Sequence, residues 1–212
     1  MPAAARGALL QVALEMFTTR GYERTTVDEI AEAVGVSQRS FFRYFAGKEE
    51  VAFAMQEMVE SHFAEAVRER PPHEGPLEAL RKAVLEGWDT MDEATEEVVP
   101  LGLYLRVYQL IESTPALLAV HLRRSSELEE RIAALIAERE GVDVNTDPRP
   151  RVAVAAFGGV MRVTGRLWGT GEDCSLAAIR ELTTTYLDQV GPALMEDWRT
   201  GTPGSDVKHL TP

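Results

Sequence analysis

An all-α protein of about nine helices is predicted by three features of this chain. Apolar residues recur at three- and four-residue spacing almost throughout, strand-like alternation is scarce, and most Gly and Pro residues fall between the periodic segments. The 212 residues, 45% of them hydrophobic, suffice for one large or two small domains with a substantial core. Three short helices come first, and a bundle of longer helices follows.

The first helix runs from about Ala4 to Thr19, with Leu9, Leu10, Ala13, Met16 and Phe17 on one inner face, and Arg20-Gly21 ends it. Thr26 opens the second. Its hydroxyl can accept a free backbone N–H, and Glu29 three residues on completes a capping box. Val27, Ile30, Ala31 and Val34 face inward, and Gly35 permits a sharp turn. Ser37 caps a third helix over about Gln38 to Phe45, anchored by Phe41 and Phe45 and broken at Ala46-Gly47. A fourth runs from Lys48 to about Arg70, where Pro71-Pro72 stops it.

Longer helices are expected over about Pro76 to Met91 and about Val98 to Ile111, with Pro100 in the first turn of the latter. Thr114-Pro115 reads as an N-cap with proline at the first helical position of a helix reaching Glu140. Gly141 to Pro150 is a loop. Arg151 to Trp168 is apolar on nearly every face, the pattern of a helix buried all round. Ser175 caps the last helix, with Ile179, Leu182, Tyr186, Val190 and Leu194 as its stripe and a kink at Pro192. The tail from Thr200 has a disordered composition.

Charge is unevenly spread. The formal net charge is −12, yet residues 1–50 hold six basic and seven acidic residues. From Ala33 to Lys48 there is no acid, while Arg39, Arg43 and Lys48 are positive. Short-range cation–phosphate contacts let such a face bind DNA on an otherwise acidic body.

Residues 26 to 48, TVDEIAEAVGVSQRSFFRYFAGK, therefore read as helix, turn and second helix, suited to lying in a DNA major groove. Gln38, Arg39, Ser40, Phe42, Arg43 and Tyr44 are the exposed candidates. Gln pairs with adenine and Arg with guanine through two bonds each, and Phe42 can pack on a thymine methyl. Thr26 and Lys48 stand at helix starts, where backbone N–H groups favour phosphate. Three helices packed for protein contact would give similar spacing.

The segment ALEMFTTRGYERTTVDEIAEAVGVSQRSFFRYFAGKEEV, within Leu9 to Val51, resembles the DNA-binding part of the TetR family of bacterial transcription regulators. The resemblance implies an all-α homodimer in which a helix-turn-helix head, residues 1–47, is joined to a ligand-binding and dimerisation domain, residues 48–199, with the tail at 200–212. It implies a repressor that leaves a palindromic DNA operator when an unknown small-molecule effector shifts the fourth helix. An activator or a ligand-independent regulator of the same fold is the alternative. It also implies phosphate contacts at Thr26, Tyr44 and Lys48 and a base-reading and capping segment over Ser37, Gln38, Arg39 and Ser40. Family members often carry tyrosine where this chain has Phe42, whose ring offers no hydroxyl to phosphate. The Ser-Phe-Phe-Arg-Tyr-Phe run and LIESTPALLAVHL, Leu110 to Leu122, resemble an actinobacterial branch that includes the mycofactocin-system repressor.

In the second part, Trp88, Met91, Tyr104, Tyr108, His121, Phe157, Met161 and Trp168 read either as the lining of an effector pocket or as plain core, with Arg106, Gln109 and Arg162 as polar anchors or surface residues. Gly158-Gly159 and Gly165 predict close helix packing, either at a dimer contact made by the last two helices or within one chain.

Other classes have little support. His62 and His121 lack partners at metal-ligand spacing, so neither a metal nor a cofactor is expected. Catalysis would have to rest on the lone Cys174 with a distant His or on Glu96-Glu97, and neither has an orienting third residue. The single cysteine fits a reducing compartment, no apolar run reaches membrane length, and MPAAARGALL has no signal-peptide core, so a cytoplasmic protein is predicted.

Overall fold

Thr26 stands at the N-terminal end of the second helix and caps it. Its side chain accepts from the Glu29 N–H at 3.2 Å, and the Glu29 carboxylate accepts from the Thr26 N–H at 2.8 Å. This closed capping box fixes where the second helix begins. In the computed structural model, residues 2–96, 99–173 and 175–195 are described, with side chains described for 4–90, 99–173 and 175–195. The Met91 and Glu96 side chains, Glu97, Cys174 and the tail from Thr200 lie outside these residues.

The described residues form ten helical segments and no strand. They are α1 (Pro2–Arg20), α2 (Val27–Val34), α3 (Gln38–Phe42), α4 (Lys48–Glu69), α5 (Pro76–Glu96), α6 (Leu101–Ser113), α7 (Pro115–Glu140), α8 (Arg149–Gly169), α9 (Leu176–Asp188) and α10 (Val190–Met195). The last two are one expected helix divided at Gln189. Proline in the first turn of α10 cannot donate to the carbonyl four residues back and crowds it, so the break falls just before Pro192.

Gly35 ends α2 at φ 74°, and Gly21 follows α1 at φ 94°; both are left-handed conformations that glycine adopts without a Cβ penalty. Leu9, Leu10, Ala13, Leu14 and Phe17 of α1 are buried against Ile30, Phe41 and Phe45, and this cluster continues into Val51, Phe53 and Met55 of α4 and Leu103, Val107 and Ile111 of α6. A second core gathers Val67, Leu80, Ile132, Ile136, Val154 and Phe157 from α4, α5, α7 and α8. Helix α4 belongs to both.

Several expectations are corrected. Helix α3 stops at Phe42, and Arg43 and Tyr44 form a turn, because Phe45 folds back to be almost fully buried. Helix α6 begins after Pro100, which holds the cap position with an extended ψ of 135°. Thr114 does cap α7 with proline in its first turn, as expected, although its side chain makes no cap hydrogen bond. The inner face of α9 is Ile179, Thr183 and Leu187, so Leu182 and Tyr186 stand at its edge and Leu194 is 73% exposed. Helix α8 is not buried all round: Val152 is 66% and Leu167 41% exposed.

Candidate DNA-reading face and effector cavity

Helix α3 presents its polar side because Phe41 and Phe45 hold the other side in the core, with their ring centres 5.8 Å apart. Ser37 caps it, accepting from the Ser40 N–H at 3.2 Å. Gln38 and Arg39 are exposed, Ser40 is half-buried, and Phe42 is 50% exposed, edge-on to Phe41. In the following turn Arg43 lies over the Tyr44 ring, 4.8 Å from its centre, and donates to the Tyr44 hydroxyl at 3.0 Å. The stack fixes a flexible cation beside the helix before any partner arrives, so less freedom is lost on binding.

Thr26 and Lys48 are already engaged. The Thr26 N–H and hydroxyl both donate to one Glu29 oxygen, each at 2.8 Å. A phosphate at Thr26 therefore competes with a carboxylate of the same charge sign. Lys48 Nζ donates to the carbonyls of Tyr22 at 2.9 Å and Thr25 at 3.4 Å and sits 4.3 Å from the Tyr22 ring centre. Two of its three donors tie α4 to the turn before α2, which leaves one for a phosphate. Sequence reasoning passed over Arg6, whose guanidinium lies 4.9 Å from the Phe45 ring centre and so beside the same turn. No sequence signal connects positions so far apart in the chain.

Behind the head, α4 to α9 line a partly open cavity of about 580 Å³. Trp88, Tyr104, Tyr108, His121, Phe157, Met161, Arg162 and Trp168 all line it. Met91 lies outside the described side chains. Gln109 and Arg106 are not in the lining: Tyr104, Leu105 and Tyr108 define the inner face of α6, and Gln109 is turned one position past it. Sequence reasoning missed Gln56, Glu60 and Phe63 on α4, which also line the cavity. Phe63 stacks parallel to Phe157 at 5.6 Å, and Tyr108 meets Trp168 edge-on at 5.4 Å.

Burial shifts several titratable groups in and beside the cavity toward their neutral forms. Burial raises the Glu60 carboxyl above its ordinary range against the opposing pull of Arg124 and Arg131. Burial likewise raises Glu112, with Arg166 opposing. His121 is lowered by burial and by Arg162. Burial also holds Tyr104 and Tyr108 as neutral phenols. The Arg162 guanidinium is paired with Glu129 across α8 and α7.

The glycines of α8 divide. A Cβ at Gly158 would strike the Glu129 side chain, and one at Gly165 would strike the Tyr108 hydroxyl, whereas Gly159 faces open space. Two of the three thus serve packing within the chain. Among the described residues no group of three His, Cys, Asp or Glu stands together in a metal-like cluster, and no described helix is long and apolar enough to cross a membrane.

Comparison with known proteins agrees with this architecture. Residues 9–55 match the family described as bacterial regulatory proteins, tetR family, and residues 74–194 match the MftR C-terminal domain. The chain is 44% identical over 194 residues to the HTH-type transcriptional regulator TcmR of Streptomyces glaucescens, covering 92% of this chain and 86% of that one. It is 29% identical over 185 residues to MftR of Mycobacterium tuberculosis, described as a mycofactocin biosynthesis regulator, covering 86% and 87%. The solved SmeT–triclosan complex shares the fold, with a TM-score of 0.62 at 18% identity over 95% of this chain and 96% of that one.

Proposed function

This chain belongs to the TetR family of bacterial transcription regulators, and from that premise we propose that it is a homodimeric repressor released from a palindromic operator by a small molecule bound in the α4–α9 cavity. The family and the relatives are DNA-binding regulators rather than enzymes. The observation that carries the finer reading is the double membership of α4. Its first residue, Lys48, holds the turn before α2, and its middle residues Gln56, Glu60 and Phe63 form a cavity wall. An occupant that displaces α4 moves the reading head with it, and an effector acts only through such a difference in affinity between two states.

Residues 1–47 then form the DNA-binding unit and 48–199 the effector and dimerisation unit. Gln38, Arg39, Ser40, Phe42 and Arg43 face base edges. Ser37 belongs with them as the cap of this reading segment, and Thr26, Tyr44 and Lys48 approach phosphates. Dimerisation through the last helices is supported by the outward apolar residues Val152 and Leu167 on α8 and Leu194 and Met195 on α10, which the single chain leaves without cover. A two-fold dimer implies half-sites about one DNA turn or slightly more apart.

DNase footprinting on the DNA flanking the protein's own gene, with a salt titration, tests this. A two-fold symmetric protected site is expected. No protection at low salt, followed by no enrichment from a random-sequence pool, would overturn the DNA-binding reading.

A further inference from the structure

Residues 1–50 contain six basic side chains, Arg6, Arg20, Arg24, Arg39, Arg43 and Lys48, beside seven acids. Among the described residues none of the six stands in an ion pair with a carboxylate. Beyond residue 50 the cations are mostly paired, as Arg70 is with Glu74 and Glu86, Arg81 with Asp188 and Arg180 with Asp89.

The head holds its cations in another way. Lys48 lies 4.3 Å from the Tyr22 ring centre, Arg43 4.8 Å from that of Tyr44 and Arg6 4.9 Å from that of Phe45. A carboxylate partner orients a cation and cancels its charge. A ring orients it and leaves the charge for a third party. Phe45 offers no lone pair, so its contact positions Arg6 without spending the five guanidinium N–H donors. Less freedom is then lost when an anion arrives.

The place matters as much as the charge. Arg6 is exposed on α1. Phe45 is buried in the turn that joins α3 to α4, between Tyr44 and Lys48. Arg6 is thus brought from another helix to the point where the reading segment passes into α4. The acids that open α4 have other partners there. Glu50 accepts from the Ala46 N–H at 2.5 Å, and Glu49 faces Arg123 of α7 at 3.7 Å.

We propose that Arg6 is a DNA-backbone contact: held over Phe45, it meets a phosphate beside those approached by Tyr44 and Lys48, and so carries the DNA-binding face from the helix-turn-helix onto α1. This rests on the operator-binding reading above. Such a contact strengthens binding without reading sequence.

The test measures the affinity of the full chain for its footprinted operator and for a random duplex of equal length across a salt series. Arg6→Met keeps a stem over Phe45 without the charge, Arg6→Lys restores the charge, and Arg149→Met removes an exposed cation from the start of α8. Arg6→Met is expected to weaken both duplexes by a common factor and to flatten the slope of log affinity against log salt by about one unit. Arg6→Lys should recover most of that slope, and Arg149→Met should keep the parent's. A parent-like slope in Arg6→Met, or a loss confined to the operator, overturns the phosphate contact and leaves the repressor reading standing. An equal loss in Arg149→Met shows a general effect of charge and overturns it as well. A parent chain that binds neither duplex at low salt overturns both readings.

Discussion

The Gln56 amide nitrogen lies 2.8 Å from Nδ1 of His121, a bond between α4 and α7 at the cavity wall. With the ring neutral, Nδ1 accepts and Nε2 carries the proton, facing Glu112 of α6 at 3.5 Å. Three helices thus meet at one polar chain. Removing either partner leaves the other buried and unmatched, so Gln56→Leu and His121→Leu should each cost about 1–3 kcal/mol. The double variant should cost less than their sum, with a coupling of about 1 kcal/mol. Urea unfolding of the four chains measures this, and strictly additive losses would remove the bond from the account of how α4 is held.

The same histidine predicts a pH dependence. His121 is lowered from its ordinary 6.5 by burial and by Arg162. The unfolded chain therefore binds a proton more readily than the native one. Stability is full above the unfolded value and declines as pH falls through 6.5 toward the depressed native value. Glu60 and Glu112 are raised, so they act in the opposite sense, each contributing stability in acid that is lost as pH rises. Subtracting the curve of His121→Gln from that of the parent isolates the histidine. The difference should grow from about pH 7 to about pH 5 in the direction of a less stable parent. A flat difference would mean that His121 titrates alike in both states.

Gly165 makes room for Tyr108. A methyl group there would strike the phenol oxygen first and the ring carbon that bears it at 3.3 Å. Gly165→Ala should cost about 1–3 kcal/mol through overpacking. Tyr108→Phe in the same chain should recover most of that, since the clashing atom is gone. Thermal unfolding reads both, and absence of recovery would place the strain elsewhere.

What the sequence revealed and what it hid follows the range of the interactions. The Thr26–Glu29 box, the Gly35 turn, the Ser37 cap and the inward Phe41 and Phe45 are local, set by residues within four positions of one another. Lys48 bonding to a carbonyl 26 residues earlier, Gln56 reaching a histidine 65 residues later and Gly165 accommodating Tyr108 depend on packing that no local pattern carries. Gln56 and Glu60 read as solvated helix positions until α7 is laid across them. Gln109 fails as a cavity residue for a simpler reason: one position on a helix is about 100° of rotation, enough to leave the face of Tyr104 and Tyr108.

The head offers a contrast between two cations. Arg43 is exposed and stacked on Tyr44, with one guanidinium nitrogen donating to the Tyr44 hydroxyl. Arg43→Ala should weaken the operator by about 1–3 kcal/mol and relax preference at one base pair. Lys48 is half spent inside the protein, on the Tyr22 and Thr25 carbonyls. Lys48→Ala should weaken operator and random DNA alike and flatten the slope of log affinity against log salt by about one unit. It should also lower the melting temperature, because the turn before α2 loses its tether. Titrations of both variants on both DNAs at several salt concentrations separate the roles. If Lys48→Ala lowers stability but leaves the salt slope intact, the lysine is a tether alone, and the phosphate role at the start of α4 passes to its backbone N–H groups.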